Sequence, residues 1–219
     1  MPAGVKAGLR AVGRAGNRGG RNQGQRSSGR GRAGLRSFPC GFVLGESGQY
    51  FVLCDDALAL ALGADIYGAV PDVFVNADGF KKSISSPGPG NYITLAKAVA
   101  SVRSLLGEDA VRHHSFIQAH GSSTPQNRVT ESRIFNEVAK AFDIHGWPVT
   151  AIKAFVGHSL APASADQLVS TLGAFHHGLL PGIKTTPAIA ADVHRERLDI
   201  RLQDLELGAQ AAVGFLNSK

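Results

Sequence analysis

Two histidines stand in loops whose make-up suits work on a carbonyl group. One loop reads Gln118-Ala119-His120-Gly121-Ser122-Ser123-Thr124-Pro125-Gln126-Asn127, and the other Lys153-Ala154-Phe155-Val156-Gly157-His158-Ser159-Leu160. Each follows a short apolar run, Phe116-Ile117 before the first and Val149-Thr150-Ala151-Ile152 before the second. Two strand–loop–helix units would then carry one histidine apiece to the carboxyl ends of neighbouring strands, where open α/β sheets build their sites. Two imidazoles with the ammonium of Lys153 suit a reaction that places negative charge on a carbonyl oxygen.

The elements that must hold these loops follow from periodicity. Leu95, Val99, Val102 and Leu106 fall on one face of a helix over about 91–106, stopped by Gly107. A second helix, over about 128–142, turns Ile134, Phe135, Val138 and Phe142 to the core. A third, over about 162–178, repeats Leu168, Leu172, Phe175 and Leu179, with Pro162 in its first turn. Extended segments are expected around 41–53, 66–75, 195–207 and 211–216, and a short helix capped by Asp55 or Asp56 and ended by Gly63. Residues 76–90, rich in Ser, Pro and Gly, read as a long loop of the kind that lies over a site. The chain is therefore α/β with a mixed sheet, expected at five strands.

Charge is distributed unevenly. Residues 1–36 hold nine Lys or Arg and no acid. Those nine come off a chain total of 23, so 14 basic residues face 17 acidic ones in 37–219. The net charge of +6 thus belongs to the head alone. That head, dense in Gly and Arg with few apolar residues, is expected to lack a fold of its own, and 37–219 to form the domain. An arginine–glycine segment attracts phosphate, but no aromatic precedes Phe38 to stack a base. Two readings stay open: an RNA-associated head, or a stretch that is not native coding sequence; a nucleic-acid partner is not the expectation. No run approaches the roughly 18 apolar residues of a membrane span, and no secretory leader is evident, so a cytoplasmic setting is expected. Two cysteines make neither a disulfide framework nor a metal site.

Gly41-Phe42-Val43-Leu44-Gly45-Glu46, the His120 loop with Glu131 beyond it, and the Lys153–His158 loop occur in an order that resembles the C-terminal half of the β-ketoacyl synthases. These are thiolase-fold condensing enzymes of fatty acid and polyketide synthesis. The resemblance covers about 41–218 and extends to Gly214-Phe215-Leu216-Asn217-Ser218-Lys219. It implies decarboxylative Claisen condensation of an acyl thioester with malonyl-acyl carrier protein. His120 and His158 would donate to the malonyl thioester oxygen and Lys153 would tune their field. Ser122 and Thr124 would hold the pantetheine arm, and Gly121 and Gly157 would turn the backbone beside it. Glu131 would support the site or complement its own helix dipole. The substrates would arrive on the phosphopantetheine of acyl carrier protein, with no cofactor or metal held by the chain.

The resemblance also marks departures. Arg128 stands where the family has an acid, Leu160-Ala161-Pro162-Ala163-Ser164 where it has a small-residue run, and Gln167 beside Asp166 where it has a glutamate. Neither Cys40 nor Cys54 resembles the family's cysteine elbow: Cys40 has no helix after it, and Cys54 precedes Asp55 and Asp56. The expectation is an inactive portion of a condensing enzyme without its nucleophile, truncated at both ends. Its partners would be acyl carrier protein and either the missing N-terminal half or a second copy in a homodimer. The alternative is a non-catalytic partner subunit of such an enzyme. The adjacent pairs His113-His114 and His176-His177 are expected at the surface.

Overall fold

The computed structural model describes residues 7–10, 43–79, 88–208 and 212–218. In chain order the elements are β1 (Ala7–Arg10), β2 (Val52–Asp55), α1 (Asp56–Ala61), β3 (Gly68–Ala69), α2 (Pro89–Leu106), α3 (Glu108–His113), β4 (Ser115–Gln118) and α4 (Pro125–Ala141). There follow β5 (Trp147–Thr150), α5 (Lys153–Val156), α6 (Ala163–His177), β6 (Leu179–Leu180), β7 (Leu198–Ile200), β8 (Leu205–Glu206) and β9 (Val213–Leu216).

The sheet that positions the histidines has the order β7-β5-β4-β9, and every pairing in it is parallel. Among the described residues it has four strands, where five were expected. The described part of the expected 41–53 region, residues 43–53, does not join it. Leu44 instead makes a parallel bridge to His158, and β2 pairs with β1 in a separate antiparallel sheet. Ala7–Arg10 therefore departs from the structureless head expected for 1–36, since its backbone completes the unpaired edges of β2 and β3. The remainder of 1–36 lies outside the described residues, as do Cys40, Gly41 and Phe42. Residues 80–87 of the expected 76–90 loop lie outside them too.

A parallel sheet is buried on both faces, and alternate residues of β4 divide between two cores. Ile117 packs with Leu95, Val99 and Val102 of α2 and Ile134, Phe135 and Val138 of α4. Phe116 packs on the other face with Ala174 and Leu180, and meets Phe175 of α6 edge-on at 5.9 Å. Burying side chains of this size contributes roughly 1.5–3 kcal/mol apiece. Trp147 is fully buried, and its indole N–H donates to Ser115 Oγ at 2.8 Å, so its one polar atom is satisfied.

The helices fall where the periodicity places them, with two differences. Leu106, the last residue of α2, is exposed, and Phe142 is only partly buried, beneath the Arg103 guanidinium at 5.0 Å. In α6 the apolar stripe is not the most buried face. Asp166, Gln167 and Thr171 are buried, whereas Leu179 lies beyond the helix in β6 and is exposed. At that turn of α6 the strand-end carbonyls take the Gln167 amide as their donor, while the Asp166 carboxylate accepts from Ser47, Gln49 and Ser159. Pro162 stands just before α6 as its N-cap, and Asp55 caps α1 by accepting Leu58 N–H at 2.7 Å. Both histidine pairs lie at the surface: His113, His176 and His177 are exposed and His114 is half-buried.

Candidate active site

The first histidine loop leaves β4 at Gln118. Ala119 N–H donates to Thr150 O at 2.8 Å, so the ends of β4 and β5 stay in register one residue past the ladder. Gly121 then takes φ +56, and a Cβ there would stand 2.7 Å from Ala151 Cβ. Ser123 also adopts a left-handed conformation, at φ 62. Together these residues fold the chain back so that Thr124 becomes the N-cap of α4 and Pro125 its first residue. Ser122 Oγ and Thr124 Oγ1 lie 3.2 Å apart at the mouth of this loop.

Glu131, one and a half turns into α4, is the anchor of the loop. Its Oε1 accepts His120 N–H at 2.8 Å and Asn217 Nδ2–H at 3.0 Å. Its Oε2 accepts Gly121 N–H at 2.9 Å and Asn127 Nδ2–H at 2.6 Å. Four donors on one buried carboxylate compensate its removal from water. The helix-dipole role is thereby secondary. Asn217 was not singled out from the sequence as a site residue. Its position two residues beyond Phe215 in a buried strand was the available signal.

The second loop is held differently. After β5 the chain makes α5, a single turn carrying Lys153, and Gly157 ends it at φ +73. Residues 43–45 then clamp the following histidine: His158 N–H donates to Val43 O at 2.7 Å, and Gly45 N–H donates to His158 O at 3.0 Å. A Cβ on Gly157 would lie 3.0 Å from Gly45 N and from Leu44 C and O, so the clamp closes only around glycine. Leu160, at φ 65, aims its N–H at His158 Nδ1, 3.0 Å away.

These two loops bring the imidazoles together. His120 Nε2 and His158 Nε2 are 3.2 Å apart, the rings meet edge to face at 4.9 Å, and both residues are buried. Because His158 Nδ1 accepts a backbone N–H, its ring proton belongs on Nε2, facing His120. Burial, with Lys153 nearby, holds the His158 pKa below its ordinary value, while Asp166 opposes that shift. Lys153 is buried, and its Nζ has no hydrogen-bond partner among the described residues. Its pKa is depressed by burial, against the opposing pull of Glu131 and Asp166. The His158 imidazole, favoured in its neutral form, stands with His120 and the buried Lys153 in an arrangement suited to an anion.

Three other positions are also resolved. Gln167 sits beneath the first loop, and its amide Nε2 donates to the carbonyls of Gln118, Ala119 and Asn217 at 3.1, 2.8 and 2.9 Å. It binds strand ends rather than Lys153. Arg128 turns outward into a bidentate pair with Asp192, at 2.9 and 2.8 Å. Cys54, free and half-buried, lies in β2 of the small sheet. Among the described residues no group of His, Cys, Asp and Glu could hold a metal ion, and no helix is long and apolar enough to cross a membrane.

Residues 67–185 match the family described as "Beta-ketoacyl synthase, C-terminal domain". The chain belongs to that family, and its fold is the thiolase-like fold of ketosynthases. It is 66% identical over 180 residues to the β-ketoacyl-[acyl-carrier-protein] synthase FabY of Pseudomonas aeruginosa, covering 82% of this chain and 28% of that relative. The crystal structure of that noncanonical ketosynthase superposes with a TM-score of 0.78, over 82% of this chain and 28% of that one. The 3-oxoacyl-[acyl-carrier-protein] synthase 2 of Synechocystis sp. is 35% identical over 144 residues, covering 64% of this chain and 33% of that relative. The ishigamide ketosynthase/chain length factor structure has a TM-score of 0.60 at 25% identity, covering 76% of this chain and 38% of that one. The chain thus spans about a third or less of the length of these two relatives.

Proposed function

We propose that this chain carries the two-histidine portion of a β-ketoacyl-acyl carrier protein synthase site, acting on a malonyl thioester. The observation that carries the reading is the 3.2 Å approach of His120 Nε2 to His158 Nε2, with the His120 loop held on Glu131. In decarboxylation the bond between the malonyl carboxylate and the α-carbon breaks, carbon dioxide leaves, and the electron pair moves onto the thioester oxygen as an enolate. An oxygen placed beside the pair, within reach of both Nε2 atoms, accepts from His158 Nε2–H, and from His120 once its proton is on Nε2. Each such donor is worth about 3 kcal/mol at the transition state. Lys153 adds a buried positive charge that favours the enolate. The enolate α-carbon then attacks an acyl thioester and expels its thiolate, which completes a condensation.

Ser122 and Thr124, whose hydroxyls lie 3.2 Å apart in the first loop, would hold the amides of a pantetheine arm, and acyl carrier protein would be the carrier of the substrate. Gly121 and Gly157 would let the backbone turn tightly beside that arm, each at positive φ next to a histidine. A homodimer is the assembly we propose, in keeping with the family.

The test is titration of the isotope-labelled chain with a non-hydrolysable malonyl-pantetheine amide, following the ring resonances of His120 and His158. Both should shift with a common affinity, and Ser122→Ala with Thr124→Ala should weaken it. Carbon dioxide release from malonyl-acyl carrier protein should fall about 100-fold in His120→Ala or His158→Ala. Ring resonances that ignore the ligand at saturating concentration would remove the reading.

A further inference from the structure

We propose that Asp166 is the positioning residue of this site, tying the 43–49 segment to the loop that carries His158 and setting the charge that His158 and Lys153 face. The inference rests on the reading of His158 as an oxyanion donor, and it adds a residue that the motifs do not name.

Asp166 stands in the first turn of α6 and is buried. Its Oδ2 accepts from Ser47 Oγ at 3.1 Å and from Ser159 Oγ, and its Oδ1 accepts from Gln49 Nε2–H. An acid in a first turn is favourable on its own through the helix dipole. That accounts for the sign of the charge, but not for three donors arriving from two other segments. Ser159 adjoins His158 in sequence. Ser47 and Gln49 continue the strand-like 43–45 stretch whose backbone brackets His158 at 2.7 and 3.0 Å. The second histidine is therefore held by a backbone clamp on one side and by Asp166, which gathers both arms of that clamp, on the other.

The two carboxylates near Lys153 divide the work. Glu131 of α4 is committed to four donors around His120, whereas Asp166 of α6 serves the His158 side. Around His158 the charged and titratable groups are then Lys153 on α5, His120 on its own loop, Glu131 on α4 and Asp166 on α6. Lys153 disfavours an imidazolium at His158 and Asp166 favours it. Charge and tether thus reside in one side chain, and they can be separated by substitution.

In the full chain, the pH titration of the His158 ring is followed by long-range proton–nitrogen correlation. Asp166→Asn should lower the His158 midpoint relative to the parent, because one opposing negative charge is gone, and Asp166→Glu should return it toward the parent value. A midpoint unmoved by Asp166→Asn, or identical in the Asn and Glu variants, would overturn the proposal. Should Asp166→Asn fail to fold, Ser159→Ala keeps every charge and removes one tether. Amide exchange at Gly45 and His158 should then quicken about tenfold, and unchanged protection would equally overturn it. Neither readout uses turnover or ligand, so a chain that ignores malonyl thioesters tells against the proposed function while leaving this inference decidable.

Discussion

Leu160 N–H donates to His158 Nδ1 at 3.0 Å, and that one bond decides which nitrogen of the second histidine faces the first. Protonating His158 converts Nδ1 to a donor, so the bond is lost and the ring gains a charge beside Lys153. Burial first, and then the charge of Lys153, hold its pKa in the fold below the ordinary 6.5, against the pull of Asp166. In the window below 6.5 the unfolded chain binds the proton that the folded chain refuses. Stability from this group is therefore complete above 6.5 and falls as pH drops toward the folded value. Urea midpoints should decrease from pH 7.5 to pH 5.5, and His158→Gln should flatten that slope. For Lys153, lowered from 10.5, the cost of a buried ammonium is fully present below its folded value and is relieved as pH rises from that value toward 10.5.

Leu160 achieves this contact at φ 65, with its side chain exposed to 60%. A left-handed leucine is strained by about 1 kcal/mol. Leu160→Gly should keep the bond to His158 and leave stability equal or higher by about 0.5 kcal/mol. Leu160→Pro deletes the donor and is barred from the conformation, so it should release the His158 tautomer. Nitrogen shifts of the ring, which separate the two tautomers, report both outcomes.

Glu131 is the costliest single carboxylate to remove. Glu131→Ala leaves two backbone N–H groups and two asparagine amides without their acceptor, and should cost about 3–5 kcal/mol in urea unfolding. Glu131→Gln presents an NH2 group to donors, so about 2 kcal/mol is expected. The nearby exposed pair of Lys140 with Glu137 provides the contrast, since Glu137→Ala should change stability by under about 1 kcal/mol.

Gly45 and Gly48 belong to one segment but face different surroundings. A Cβ on Gly45 would stand 2.1 Å from Val156 O, whereas nothing lies within 4 Å of one on Gly48. Gly45→Ala should therefore lift residues 43–45 from the His158 loop and expose the His158 amide to exchange. Gly48→Ala should not. Retained exchange protection in Gly45→Ala would show that the clamp is dispensable.

Much of this protein was readable along the chain because its signals are local. Leu95, Val99 and Val102 lie one helical face apart, and glycines precede or follow the histidines where tight turns are needed. The two-loop motif brings His120, Lys153 and His158 to the ends of neighbouring strands, a juxtaposition that their type and spacing had suggested. Other features depend on segments distant in sequence, and only the tertiary structure decided them. Glu131 meets Asn217 across 86 residues, Ser47 meets Asp166 across 119, and Leu44 joins the His158 loop instead of the main sheet. Polar Asp166 and Gln167 are buried in α6, beside Ala163, Leu172 and Ala174, for the same reason. No periodicity marks Gln167 or Asp166 as interior, because the groups that make them so, the carbonyls of β4 and β9 and the hydroxyls of two loops, arrive only when the chain closes on itself.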